Sequence, residues 1–227
     1  MQLSSPERRV CEAVAARREA LVALTRELVG FDTVTHTPGD APRQERALQE
    51  HLAKLLQSHG AEVTLHEPDA AALRPHPMVP EGLTFEGRPQ LVARFRGSGG
   101  GRTLLLNGHV DVVDVEPRSN WKMGDPFAAE VSEGRLYGRG TCDMKGGVAS
   151  MVVAACTLAA LGVPLAGDLI VNTVTEEEST GAGGLFAARL LQADAAIVPE
   201  PSSLAVWVAC RGSLLPRIIV RGRAGHA

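Results

Sequence analysis

Four separated segments of the chain carry side chains able to hold a divalent metal ion: Gly108-His109-Val110-Asp111, Thr141-Cys142-Asp143, Glu176-Glu177-Glu178 and Pro199-Glu200. One carboxylate alone rarely retains a transition metal, whereas an imidazole with Asp and Glu oxygens suits zinc, manganese or cobalt. Two such ions about 3.5–4 Å apart can share a water, lower its pKa towards about 7 and polarise a carbonyl. A further carboxylate that binds no metal can then take the proton from that water. Glu176 and Glu177 offer both jobs side by side, because neighbouring side chains of an extended segment point opposite ways. Each residue also has a plainer use. His109 could be a core or surface histidine, the glutamate run a solvated loop, Asp143 a cap on the helix behind it, and Asp111 a turn residue. Two positions after His109, Asp111 could instead hold the imidazole tautomer. It is the joint occurrence, in this order, that points to chemistry.

The elements around these residues place them consistently. His109 follows an apolar run at Leu104–Asn107, and the three glutamates follow a β-branched strand at Leu169–Thr175. Pro199-Glu200 follows a short strand at Ala195–Val198 that reads as buried, and Asp143 precedes an alanine-rich helix over Lys145–Leu161. In open α/β sheets the carboxyl ends of the strands share one edge, where sites form. Upstream, one helix is predicted from Ser5-Pro6 through Val10, Val14, Leu21, Leu24 and Leu28, ended by Gly30. A second starts behind Asp40 as cap and runs through Leu48, Leu52, Leu55 and Leu56 to Gly60. Ala61–His66 reads as a strand and residues 67–90 as loop. Gln90–Arg96 and Thr103–Asn107 read as a hairpin turning at Gly97–Gly101, and Val131 and Leu136 flank another at Glu133-Gly134. Gly184–Leu191 is helical. This alternation predicts an α/β fold, a mixed sheet with helices on both faces.

Composition narrows the function classes. With 23 basic and 26 acidic side chains in 227 residues, the net charge of -3 argues against nucleic acid or an anionic membrane as partner. Only eight residues are aromatic, too few for a base-stacking platform. Cys11, Cys142, Cys156 and Cys210 show no CxxC pairing, so they read as reduced thiols of a cytoplasmic protein. No apolar run reaches the ~18 residues of a membrane span. Gly138, Gly140 and Lys145-Gly146 complete neither a P-loop nor a GxGxxG pattern.

The motifs together are similar to those of a known family. Gly108-His109-Val110-Asp111-Val112-Val113, Trp121 with Asp125-Pro126-Phe127, and Leu136-Tyr137-Gly138-Arg139-Gly140 with Asp143-Met144-Lys145-Gly146-Gly147 resemble the acetylornithine deacetylase and succinyl-diaminopimelate desuccinylase family. Aminoacylases and glutamate-type carboxypeptidases are its relatives. Thr175-Glu176-Glu177-Glu178 and Pro199-Glu200-Pro201-Ser202 match its later motifs. The resemblance implies a zinc-exopeptidase-like catalytic domain holding two divalent ions, zinc by default with cobalt or manganese as alternatives. It implies His109 and Glu200 on one ion, Asp143 bridging, Glu177 on the second ion, Glu176 as general base and Asp111 orienting His109. The reaction implied is hydrolysis of the amide of an N-acyl amino acid or a related small peptide, in a homodimer.

The family also implies an inserted lid domain. The catalytic part is then expected over residues 1–212 and the first lid strand within 213–227, at Leu214–Val220. His226 would match the histidine that stabilises the tetrahedral oxyanion across the dimer. The family's second metal-binding histidine comes later still, and here His36, His51, His59, His66 and His76 all lie upstream of the motifs. The chain is therefore expected to be part of a longer protein, holding the His109 ion better than the other and hydrolysing little by itself. Two competing readings are a non-catalytic relative and a two-metal phosphoesterase. The intact base Glu176 argues against the first; the second would want more phosphate-facing cations than Arg139 and Arg211.

Overall fold

The structure, a computed structural model, describes residues 3–35, 43–209, 212, 218–223 and 225. The first predicted helix is two: α1, Ser5–Ala15, and α2, Arg18–Val29. Ser4 and Glu7 form a reciprocal capping box at the start of α1, and the chain breaks at Ala16–Arg17 before α2 resumes. Only α2 reaches the core. Its Leu24 and Leu28 are buried, whereas α1 buries nothing fully, so the apolar spacing reads as continuous across a bend that packing imposes.

Helix α3, Glu45–Ser58, begins behind Gln44 without a side-chain cap, and the proposed cap Asp40 lies outside the described residues. Strand β1, Glu62–His66, follows. Residues 67–90 are more ordered than their glycines and prolines suggest. They hold a one-turn helix α4, Ala70–Leu73, whose Leu73 packs with Val79, Leu83 and Phe85 in a separate apolar cluster.

The central sheet has the order β1-β2-β6-β3-β7. Strand β2 is Gln90–Phe95, β3 Leu104–His109, β6 Leu169–Val174 and β7 Ala195–Ile197. A two-stranded ribbon, β4 at Glu130–Ser132 with β5 at Arg135–Tyr137, stands apart as expected. The hairpin expected between β2 and β3 does not form. Strand β6 lies between them, antiparallel to β2 and parallel to β3. The glycines taken for a turn accept the incoming chain instead: a Cβ on Gly97 would sit 2.4 Å from the Gly167 carbonyl oxygen, and one on Gly101 2.4 Å from the Gly167 nitrogen. The amides of Ser98 and Gly101 donate to the carbonyls of Leu165 and Ala166, so this segment guides β6 into its slot.

Helix α5, Lys145–Ala160, packs with α2 and α3 on one sheet face. Val148, Met151 and Val152 meet Leu28, Leu52, Leu91, Ala93, Leu106 and Val171 in one core cluster. On the other face lies α6, Ala182–Leu190, whose Phe186 ring stands 6.0 Å from that of His66. The α/β architecture with helices on both faces is therefore present. Strand β7, expected to be buried, is exposed along its length, because among the described residues only β3 adjoins it. Of the lid strand expected at Leu214–Val220, residues 218–220 are described, exposed and without regular structure; the rest, like His226, lies outside the described residues.

Candidate metal centre

Strands β3, β6 and β7 run parallel, so their carboxyl ends deliver His109, the turn after Val174 and Pro199-Glu200 to one edge. The start of α5 brings Asp143 to the same place. Glycine makes this approach possible: a Cβ on Gly147, in the first turn of α5, would lie 2.2 Å from the Pro199 carbonyl oxygen.

The result is a compact donor set. His109, Asp143 and Glu200 each offer a ligand atom, all within 4.8 Å of one another. His109 Nε2 is 3.0 Å from Asp143 Oδ1, 3.6 Å from Glu200 Oε1 and 3.8 Å from Glu177 Oε2. The imidazole is buried, while the three carboxylates are partly open to solvent. One nitrogen and several oxygens converging from a buried floor to an open rim fit a divalent metal ion.

The floor sets the imidazole. His109 Nδ1 lies 2.9 Å from the Asp111 backbone oxygen, which can only accept, so Nδ1 carries the proton and Nε2 is left to face the cluster. The Asp111 carboxylate does something else. Fully buried, it accepts the backbone N–H of Glu177 at 3.3 Å and of Glu178 at 3.0 Å, and its Oδ1 stays 3.7 Å from the ring. Asp111 thus orients His109 through its main chain and the glutamate turn through its side chain.

Electrostatics follow from this crowding. Burial pushes the Asp111 carboxyl up to about 6 against the pull of His109 and the two N–H donors. Burial also dominates at Glu200, raised to about 7; His109 opposes it, and Asp143 and Glu177 add to it. Glu178 is raised by burial and then by Asp143. For His109 burial acts downward, but the charges of Asp111, Glu200 and Glu177 outweigh it, and the imidazole is raised. Carboxylates that repel one another and attract protons are what a dication would relieve.

Glu176 does not join them. Its side chain is buried, with one carboxylate oxygen paired to Arg88 and the other accepting from Ser179 Oγ at 2.6 Å and Thr180 Oγ1 at 3.1 Å. The alternation expected of an extended segment fails because Glu176 adopts a left-handed φ of 65°, which turns the chain out of β6 and this side chain inward. Glu177 is the glutamate whose carboxylate approaches the imidazole, at 3.8 Å, and Glu178 feels the charges of Asp143 and His109.

Two residues beneath the site had no role from spacing alone. Arg88, in the segment read as loop, is buried between Glu45 and Glu176. Lys145, also buried, donates from Nζ to the Phe31 carbonyl at 2.8 Å, and burial lowers its pKa to about 7 while Asp32, Asp111 and Glu45 resist. A cation opening an otherwise apolar helix was the available signal for Lys145; Arg88 left none.

Comparison with known proteins agrees with the geometry. Residues 105–211 match peptidase family M20/M25/M40 and form a domain of that kind. It is 44% identical over 138 residues to a succinyl-diaminopimelate desuccinylase of Xanthomonas campestris, a match covering 56% of this chain and 36% of the relative. Succinyl-diaminopimelate desuccinylase 2 of a Ruegeria species is 33% identical over 217 residues, covering 91% of this chain and 48% of that protein. The chain thus spans less than half the length of these curated relatives. Among solved structures, human carnosine dipeptidase 1 shares the fold with a TM-score of 0.66 at 21% identity, over 83% of this chain and 40% of that one. No described helix is long and apolar enough to cross a membrane.

Proposed function

We propose that this chain supplies the metal-binding part of a two-metal amidohydrolase that cleaves the amide of an N-acyl amino acid. The observation that carries the reading is the convergence of His109, Asp143 and Glu200 within 4.8 Å, with Glu177 beside the imidazole. The names of the relatives, desuccinylases among them, favour a small acyl group on an amino acid.

His109, Asp143 and Glu200 would hold one ion. Glu178, whose carboxyl is raised by burial and by the charge of Asp143, would hold the second with Asp143 shared between them. When bound, the two ions supply an acidified water and a polarised substrate carbonyl. Glu177 would then accept the proton of the attacking water on its carboxylate and return it to the leaving amine nitrogen. In this reading the base and second-ligand roles fall one residue along from Glu176 and Glu177; the contacts of the Glu176 carboxylate with Arg88, Ser179 and Thr180 support that choice. Asp111 keeps both Glu177 and Glu178 in place through their amides.

Zinc is the ion we propose from the donor types, in a cytoplasmic homodimer whose lid, opening within residues 213–227, would carry His226 as oxyanion donor. Exposed, unpaired Cys11 and Cys142 support a reducing compartment. The test uses the full-length protein with added zinc or cobalt on acetyl- and succinyl-amino acids. Glu177→Gln should retain its metal and lose about 10²–10⁴-fold in kcat. No hydrolysis across the panel, or a Glu177→Gln protein with the parent rate, would overturn the assignment.

A further inference from the structure

We propose that Arg88 and Glu176 are positioning residues, a buried ion pair that locks the turn after β6 so that Glu177 and Glu178 face the metal centre. The inference rests on the roles given above to those two glutamates.

The contacts form a continuous chain across the molecule. Arg88 Nε donates to Glu45 Oε1 at 3.1 Å, its Nη2 to Glu176 Oε1, and its Nη1 to the Thr84 carbonyl at 3.4 Å. Arg88, Glu45 and Glu176 are all buried, at 4, 0 and 2% exposure, so no water replaces a lost partner. The other Glu45 oxygen accepts the Arg43 amide at 3.1 Å, and the other Glu176 oxygen takes the hydroxyls of Ser179 and Thr180. Helix α3, the lead-in to β2 and the turn after β6 are thereby joined through one guanidinium.

The local backbone needs such a lock. A left-handed φ of 65° at Glu176 is unfavourable for a residue with a Cβ and persists where the surroundings over-determine it. Here the side chain is held from one side by Arg88 and the hydroxyls. The next two amides are held from the other side by the Asp111 carboxylate, and the Gly181 amide closes the turn onto the Glu176 carbonyl at 2.7 Å. Release of the Glu176 carboxylate would free φ to return to extended values. Restored alternation would then swing Glu176 towards the donors and Glu177 away from them. Burial of a fork-shaped cation between two carboxylates suits Arg and not Lys, whose ammonium is a point charge.

The experiment compares Arg88→Met, Arg88→Lys and Glu176→Gln with the parent by amide hydrogen exchange, zinc titration and steady-state kinetics. In Arg88→Met the Glu177 and Glu178 amides should exchange at least about tenfold faster while the α5 amides keep their protection. Affinity for the second zinc ion should fall by about 10–100-fold with the first within about threefold, and kcat should fall with KM little changed. Arg88→Lys should recover part of the amide protection. Parent-like exchange at 177–178, or equal loss of both ions with protection falling throughout the molecule, would overturn the proposal. Should Arg88→Met fail to fold, Glu176→Gln keeps the shape and the hydroxyl contacts and is read against the same exchange criterion. A parent protein without amidohydrolase activity would sink the assigned chemistry alone, since exchange and zinc titration still decide the role of Arg88.

Discussion

Gly147→Ala puts the assembly of the metal centre to a quantitative test. The added Cβ would start 2.2 Å from the Pro199 carbonyl oxygen and 3.2 Å from its carbon, so one backbone must retreat by about 1 Å to regain van der Waals contact. The helix cannot easily do so, because the next residues of α5, Val148, Ala149, Met151 and Val152, are buried in the main core cluster. The Pro199 segment is half open to solvent and yields instead, carrying Glu200 with it. Glu200 Oε1 stands 3.6 Å from His109 Nε2, and a retreat of that size takes one of three ligands out of bonding range. The expected loss is about 10–100-fold in zinc affinity, comparable with losing a group that orients a ligand. Overpacking costs about 1–3 kcal/mol, partly offset by the ~1 kcal/mol that Ala gains over Gly inside a helix. Thermal unfolding of the metal-free protein should therefore change little while metal binding suffers. Calorimetry measures the first and competition against a chromophoric chelator the second. Gly184→Ala serves as control, since a Cβ there meets nothing within 4 Å. Zinc affinity in Gly147→Ala within about threefold of the parent would refute the claim that this contact seats Glu200.

Other outcomes follow from the same geometry. Asp111→Ala strands the partly buried amides of Glu177 and Glu178 without their acceptor, at about 1 kcal/mol for each, and urea unfolding with amide exchange at those two positions measures the loss. Unchanged exchange there would show that another group holds the turn. For the metal-free protein the pH dependence has a defined sign. Asp111 (about 6 against 3.8), Glu200 (about 7 against 4.5), Glu178 and His109 all have folded pKa values above their unfolded ones, so each adds stability at low pH that is lost as pH rises through the folded value. The loss from the depressed Lys145, at about 7, is already complete below that pH. Stability should therefore rise between pH 7 and 5.5 and continue to rise towards the unfolded value of Asp111, whose full contribution is at most about 3 kcal/mol. Zinc affinity should fall over the same window, because protons and metal compete for Glu200 and His109. A urea midpoint that drops on acidification of chelator-treated protein would contradict these shifts.

Residue types and their order along the chain determined which chemistry is available. His109, Asp143 and Glu200 were legible because each follows a strand or precedes a helix, and parallel strands must end on a common edge. The apolar spacing of α3, the alanine-rich run of α5 and the β4–β5 ribbon were legible from local sequence. Tertiary structure decided what local pattern could not carry. Strand β6 enters between β2 and β3 because residues some 70 positions downstream of the Gly97–Gly101 segment dock on it, which no hairpin signal contains. The choice among Glu176, Glu177 and Glu178 likewise lay outside the run itself. Three identical side chains in sequence differ only in the backbone angle at the first and in the buried guanidinium of Arg88 that captures it, and that partner comes from a segment 88 residues away.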